Sequence, residues 1–248
     1  MKDKILIFIP AYNCSKQLPR VLDKFSKDIQ GLFTEILIIE NNSTDDTLKV
    51  AIKNLSKLKH IKKNIFQNNE NYNLGGSHKV AFDYAIRKKF DYLVVLHGDD
   101  QGNIVDLIPH IKSGLFKQYD SLLGSRFAIG SKLIGYSYMR IILNYGFNFL
   151  CSILVRKWIT DQGSGLNIYK ISYLKNYFFS SFPNDLTFPN NMFFYGLLIK
   201  SKFKYFTMSW REDDQISNAK IWEQGARVLW LFINKKKIFK IAKKKINI

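Results

Sequence analysis

Short apolar runs rich in β-branched residues alternate with stretches whose apolar positions recur every three or four residues, and the two periods set out strands and helices in turn. Ile5-Leu6-Ile7-Phe8-Ile9 predicts a first strand over about Lys4 to Ile9, followed by a helix from about Ser15, a candidate N-cap, to Lys27. Glu35 to Ile39 predicts a second strand and Asn64 to Gln67 a weaker third. A helix then runs to about Lys88, with Val80, Ala81, Tyr84 and Ala85 spaced for one buried face, and Tyr92 to Leu96 predicts strand four. Beyond it the order is less regular. A strand near Ser121 to Leu123, a long helix from about Tyr136 and an extended piece near Gly165 to Tyr169 precede a helix near Phe188 to Lys200 and a strand from Phe203 to Met208. This alternation predicts an α/β fold with a Rossmann-like, mostly parallel sheet flanked by helices, without repeats or a linker.

Two of these strands end in polar groups. The first passes into Pro10-Ala11-Tyr12-Asn13, and the fourth into His97-Gly98-Asp99-Asp100-Gln101. A buried strand that opens onto carboxylates at its carboxyl end is where α/β proteins hold a metal and the phosphates attached to it. After the second strand, Asn41-Asn42-Ser43-Thr44-Asp45-Asp46-Thr47 is rich in turn-forming side chains, with Asp45 and Asp46 placed to favour a helix start through its dipole.

At 248 residues and 46% hydrophobic, the chain can bury a substantial core, which points to one principal domain. Only Cys14 and Cys151 are present, so neither a disulfide framework nor a cysteine-rich metal site is available, and a reducing compartment is expected. Lys2 and Lys4 precede an apolar stretch too short for a signal-peptide core, so the chain is expected in the cytosol. There is no uninterrupted run of eighteen apolar residues. The nearest, Ile141 to Val155, is broken by Asn144, Gly146, Asn148 and Ser152 and reads as a buried or interfacial helix.

Four motifs in register carry a resemblance: Ile9-Pro10-Ala11-Tyr12-Asn13, then Glu40 to Thr47, then Asn73-Leu74-Gly75-Gly76, then Asp99-Asp100-Gln101. In order and spacing the chain resembles family-two glycosyltransferases, most closely the polyprenyl-phosphate and dolichyl-phosphate sugar synthases, over about residues 4 to 170 with a looser continuation to about 220. The resemblance implies a GT-A fold and a nucleotide-diphosphate sugar donor. By position, Pro10, Ala11, Tyr12, Asn13, Asn73 and Gly75 would belong to the nucleotide-binding loops, and Glu40 would take the place of the acidic residue that contacts base or ribose. A carboxylate can accept two hydrogen bonds from a ribose diol or base nitrogens. The chain lacks the family's glycine after Asn41, which leaves open a degenerate nucleotide- or lipid-binding scaffold.

The metal motif also departs from the family. Setting Gln101 on the glutamine of Asp-Ala-Asp-x-Gln puts Asp99 on the second aspartate and His97 on the first. The resemblance implies a divalent cation, and Mn²⁺ accepts a nitrogen ligand more readily than Mg²⁺ does. Asp99 is the first candidate ligand, Gln101 the second, and His97 either a ligand or a partner of the nucleotide. Asp100 is the ligand instead if the pair is a shifted motif, and in a metal-free reading both aspartates cap a helix beginning near Ile104.

Downstream, Leu123-Gly124-Ser125-Arg126-Phe127 and Asp161-Gln162-Gly163-Ser164-Gly165-Leu166 resemble two further elements of the synthases. Arg126, with Arg140 as a second candidate, either pairs with a phosphate through its planar fork or serves a structural ion pair. Transfer to a sugar hydroxyl needs a base, whereas a lipid monophosphate is already largely anionic near neutral pH. Where hydroxyl-directed members place that base, Thr187 to Met192 offers amides, which favours a polyprenyl-phosphate or lipid-linked acceptor. The competing bases are Glu212, Asp213 and Asp214, with Asp213 as the representative candidate. Arg211, Ser217 and Lys220 are loosely similar to late residues that close over the donor diphosphate.

Net charge is +18, and Lys235, Lys236, Lys237, Lys240, Lys243, Lys244 and Lys245 crowd the end of the chain behind Val228 to Ile233. That composition fits a helix on an anionic membrane surface, so the expected division is a GT-A catalytic domain over 1–225 and a basic amphipathic segment over 226–248. The enzyme is expected to be peripheral on the inner face of the cell membrane. Nucleic acid is not an expected partner, because the lysines lie outside the motif-bearing region and no nucleic-acid module accompanies them.

Overall fold

The computed structural model describes residues 2–214 and 221–234. Its strands are Ile5–Ala11 (β1), Glu35–Glu40 (β2), Lys62–Gln67 (β3), Tyr92–Leu96 (β4), Ser121–Ser125 (β5), Lys132–Ile134 (β6), Leu166–Lys170 (β7), Phe203–Thr207 (β8) and Ser209–Arg211 (β9). The helices are Leu18–Asp23 (α1), Lys27–Gln30 (α2), Thr47–Leu55 (α3), Asn73–Arg87 (α4), Ile108–Lys112 (α5), Tyr138–Val155 (α6), Ile171–Leu174 (α7), Phe188–Leu198 (α8) and Ile221–Ile233 (α9). Gln215, Ser217, Lys220 and the lysines from Lys235 onward lie outside the described residues.

Seven strands form one sheet in the order β3-β2-β1-β4-β7-β5-β8. β1, β2, β3 and β4 are mutually parallel, whereas β7 runs antiparallel between β4 and β5. Both faces are covered, so each central strand is apolar throughout and its side chains divide by parity. Ile5, Ile7 and Ile9 join Ile36, Ile38, Val94 and Leu96 in one core, while Leu6 and Phe8 join Leu37, Leu93, Val95 and Phe82 of α4 in the other. From β1 the chain winds outward to β2 on one side and returns to β4 on the other. The carboxyl ends of β1 and β4 therefore flank the crevice where the winding direction reverses, the usual ligand position in open α/β sheets.

Several expectations change. Ser15 is not a helix cap: α1 begins at Leu18 with Pro19 in its first turn, where a missing N–H costs nothing, and the chain breaks before α2, which Ser26 caps. Val80 is exposed, because the inward face of α4 is built from Gly75, His78, Ala81, Phe82 and Ala85. The short parallel pair β6 and β9 was not expected. Of the two readings of α6, the buried one fails, since only Asn148, Cys151 and Ser152 of it are buried. α9 runs continuously across the expected boundary at residue 226, with Val228 and Leu231 in the second core.

Candidate functional site

The loops at the carboxyl ends of β1, β2 and β4 are laced together. Gly98 N–H donates to the Pro10 carbonyl at 3.1 Å, and a Cβ at position 98 would lie 3.1 Å from that oxygen and 3.2 Å from Cys14 Sγ, so the two loops meet across a glycine. Asn13 adopts a left-handed conformation (φ +48°) that asparagine tolerates, which turns its side chain toward the β2 loop. Its N–H donates to Ser43 Oγ at 3.0 Å and its Oδ1 accepts from Thr44 N–H at 2.9 Å. Ser15 and Cys14 N–H bond Asp45 Oδ2 and Thr47 Oγ1. Tyr12 stands exposed beside this seam, with Ala11 buried and Pro10 half-buried beneath it.

Glu40 closes β2 and is 1% exposed. Its Oε1 accepts from Ser43 N–H at 2.7 Å, while Oε2 is buried without a hydrogen-bond partner among the described residues. A buried carboxylate oxygen left unmatched is costly, and such atoms commonly mark places where a ligand supplies the donor. Asn41 next to it ties the third loop in, donating to Asn71 Oδ1 and accepting from Asn68 Nδ2 and Tyr72 N–H.

Asn73 is exposed and left-handed (φ +57°) at the start of α4. Gly75 is buried, and its N–H donates to the Asn184 carbonyl at 2.6 Å. A Cβ there would sit 2.7 Å from the Pro183 carbonyl oxygen, so this glycine sets how closely the 183–184 segment approaches and does not itself line the crevice.

β4 delivers the acidic turn. His97 N–H donates to the Gly165 carbonyl at 3.0 Å, and a Cβ on Gly165 would come within 2.8 Å of the imidazole. That requirement explains the Ser-Gly of the 161–166 motif. Burial, reinforced by the nearby Arg126 charge, lowers the His97 pKa to about 4, so the ring is neutral near pH 7 and keeps a lone pair for a ligand. Its Nε2 is buried without a hydrogen-bond partner among the described residues. Asp99 accepts from Gln101 N–H at 3.1 Å and is about one third exposed (35%). Burial pushes its pKa up to about 6, with Asp100 adding to the shift.

Asp100 has a different part from the one a shifted motif would give it. It is left-handed (φ +61°) and 2% exposed, and its carboxylate bonds Arg20 Nε at 2.7 Å, Lys24 Nζ and, at 3.4 Å, Arg211. With three cations on its two oxygens, it is not placed to bind a metal. Neither aspartate caps the turn at Ile104, which Asn103 caps through Oδ1. Gln101 is half-buried between the two motifs, its carbonyl accepting from Arg211 N–H at 3.0 Å.

Among the described residues, no three His, Cys, Asp or Glu side chains converge to cage a metal. The donor set at the end of β4 is one carboxylate and one neutral imidazole, 3.9 Å apart from Oδ2 to Nδ1. Cations that share substrate phosphates need only one or two carboxylates from the protein, so these residues fit a divalent ion completed by diphosphate and water.

Arg126 is spent on a structural pair. Its Nε and Nη2 both reach Asp161 at 2.8 Å, its backbone N–H reaches the same carboxylate at 3.0 Å, and its guanidinium lies 4.9 Å from the Trp210 ring centre. Although burial opposes ionisation of Asp161, Arg126 holds it below the usual carboxylate range. Of the two readings left open for Arg126, the structure shows the ion pair, which occupies its fork. Arg140 likewise pairs with Glu212 and lies 4.8 Å from the Tyr136 ring centre.

The remaining candidate bases are also matched. Asp213 accepts from Arg211 Nε at 2.6 Å, which lowers its pKa and weakens it as a proton acceptor, and Asp214 accepts from Arg20 Nη2 at 2.7 Å. Arg20 and Lys24, one helical turn apart, were not singled out from the sequence although their spacing marks them as one cationic face. Asp185, just before α8, was also missed. Its Oδ1 accepts from Thr187 N–H at 2.8 Å and its Oδ2 lies 3.4 Å from Arg227.

Comparison with known proteins agrees with this architecture. Human dolichyl-phosphate beta-glucosyltransferase is 23% identical over 250 residues, covering 95% of this chain and 74% of that protein. Polyprenol monophosphomannose synthase of Mycolicibacterium smegmatis is 21% identical over 172 residues, covering 69% and 63% of the two chains. Among solved structures, glucosyl-3-phosphoglycerate synthase from Mycobacterium tuberculosis, in complex with Mn²⁺ and UDP-glucose, superposes with a TM-score of 0.63 at 14% identity, over 95% of this chain and 79% of that one. The fold is accordingly that of GT-A glycosyltransferases. Residues 6–178 match the glycosyl transferase family 2 profile, and the chain belongs to that family of nucleotide-sugar glycosyltransferases.

Proposed function

We propose that this enzyme moves a sugar from a nucleotide diphosphate to a polyprenyl phosphate or another lipid-linked phosphate, with inversion at the anomeric carbon. The observation that carries the acceptor class is the matching of Glu212, Asp213 and Asp214 by Arg140, Arg211 and Arg20. Each carboxylate is engaged by a guanidinium that would have to let go before it could serve a substrate hydroxyl, and an anionic phosphate needs no base. The names of the human and mycobacterial relatives point to the same acceptor chemistry.

In this reading Pro10, Ala11, Tyr12 and Asn13 line the nucleoside, and Glu40 Oε2 accepts from a ribose hydroxyl or base N–H. Asn73 and Gly75 shape the adjoining loop. Asp99, with His97 and Gln101 beside it, holds Mn²⁺ or Mg²⁺. When bound, the cation would stabilise the charge that develops on the departing diphosphate. Arg126 acts as a positioning residue, fixing Asp161 and the Ser164-Gly165 turn against which His97 rests. The lysine-rich end of the chain, from Lys235 onward, meets the cytosolic face of the membrane.

Incubating the purified chain with UDP-glucose, GDP-mannose and Mn²⁺ tests the acceptor. A short-chain polyprenyl phosphate should become glycosylated, and the double substitution Asp213→Asn, Asp214→Asn should leave that transfer within a few-fold of wild type. Transfer only to sugar hydroxyls, lost in the double variant, would overturn the reading. A second reading, hydroxyl transfer with Asp185 as base, draws on the position of that carboxylate before α8, and Asp185→Asn separates it in the same assay.

A further inference from the structure

α6 exposes a continuous apolar stripe. Tyr138, Ile142, Tyr145, Phe149 and Ile153 follow one another at intervals of three or four residues and are all exposed, from 52% at Tyr145 to 85% at Tyr138. Trp158 continues the stripe past the helix end at 70% exposure, so aromatic side chains stand at both ends of the apolar face. α9 packs beside α6 and presents Trp230 and Ile233 outward while burying Val228 and Leu231. A face of this extent is larger than the scattered apolar residues usual on soluble proteins.

Charge says what covers it. Between Asp120 and Asp161 the sequence has no acidic residue. The cations of that stretch are Arg126 and Arg140, paired inward with Asp161 and Glu212, and Lys132, Arg156 and Lys157, which are exposed. An acid-free stretch of chain, with Arg156 and Lys157 following an aromatic-rich apolar stripe, complements an anionic lipid headgroup layer.

We infer that the outer face of α6, continued by α9, docks on an anionic bilayer with the helix lying in the plane of the interface. By length and composition α6 could cross a membrane. Its inner face is nevertheless tied to the domain along its whole length. Arg140 pairs with Glu212, Asn148 Nδ2 donates to the Thr160 carbonyl at 2.8 Å, and Ser152 Oγ accepts from Ile159 N–H at 2.9 Å. Spanning would tear these polar groups from their partners into hydrocarbon. The placement goes beyond the acceptor assignment and does not depend on it.

Co-sedimentation of the full chain with phosphatidylcholine vesicles, with and without phosphatidylglycerol and containing no polyprenyl phosphate, tests the inference. Wild type should bind the anionic vesicles, and Ile142→Glu with Phe149→Glu should weaken binding about tenfold or more. Arg156→Glu with Lys157→Glu should weaken it chiefly on anionic vesicles and at low salt. Ile142 and Phe149 are exposed, so that pair should unfold thermally as wild type does. Lys157 lies 4.0 Å over the Phe203 ring, so the second pair should lose a small part of its stability, and transfer to a water-soluble short-chain acceptor should be unchanged in both.

Vesicle binding unaltered by either pair would overturn the inference. So would retention of the chain in the membrane pellet after alkaline carbonate, which marks a spanning helix. A concentration-dependent dimer in light scattering that Phe149→Glu dissolves would assign the face to a second copy instead. Vesicle binding without any transfer to phosphate acceptors would sink the acceptor assignment and leave the docking face standing.

Discussion

His97 Nδ1 lies 3.9 Å from Asp99 Oδ2, a separation too long for a hydrogen bond between them. The neutral imidazole therefore does little to settle the carboxylate, whose pKa burial raises to about 6. With a folded pKa above the unfolded value, the ionised Asp99 costs stability as pH rises through that window, a cost moderated by its one-third exposure. Asp99→Asn should raise the melting temperature at pH 7 in the absence of metal. If Asp99 holds the cation as proposed, Mn²⁺ with UDP should raise the wild-type melting temperature and the variant should lose that shift, and calorimetric scans with and without both ligands read the two effects separately.

His78 predicts the acid limb of the stability curve. It is 4% exposed, its Nδ1 contacts the Leu74 carbonyl at 2.8 Å, and burial, with the His97 charge adding, lowers its pKa to about 3. Because the unfolded imidazole binds a proton near pH 6.5 and the folded one does not, stability is complete above that pH. It is lost as pH falls from about 6.5 toward 3, by at most about 5 kcal/mol. Urea melts between pH 7 and 4 should show this slope, and His78→Gln should flatten it.

Asp100→Asn should destabilise the protein by about 2–3 kcal/mol, less than a fully buried pair would because Arg20, Lys24 and Arg211 are each partly exposed. Asparagine accepts the same left-handed backbone, so the variant isolates the charge from the turn. Chemical denaturation at low and high salt measures it, with the difference from wild type shrinking as salt rises.

Two glycines should respond oppositely to alanine. Gly75→Ala drives a methyl into backbone atoms of Pro183 and Asn184 and should cost about 1–3 kcal/mol. Gly146→Ala, at an α6 position with nothing within 4 Å, should stabilise by about 0.5–1 kcal/mol. Paired thermal melts decide both.

The strands were legible because they are short apolar runs bounded by turn residues: Tyr92 to Leu96 was placed to the residue, and β1, β2, β5 and α8 within a few positions. Direction was not legible. Nothing in Leu166–Lys170 says that β7 runs antiparallel between β4 and β5, since strand polarity is set by the connections around it. The turn holding Asp99 was found from its acidic pair, but which aspartate faces the crevice depends chiefly on Arg20 and Lys24, 80 and 76 positions before Asp100. Local sequence likewise left Arg126 open between a phosphate and a structural ion pair, and Asp161, 35 positions on, decides it by occupying its fork. Local reading left α6 open between buried and interfacial for the same reason, because burial belongs to what packs against a helix and not to its own sequence.

Glu40 keeps one oxygen sealed from solvent and unanswered by any described neighbour. In the proposed reading, a nucleoside hydroxyl or N–H arriving there would have no rival to expel, so that contact would work as a lock that is already turned. Grip on the nucleoside and choice among sugars would then be separate matters, the second resting with whatever lies past the diphosphate.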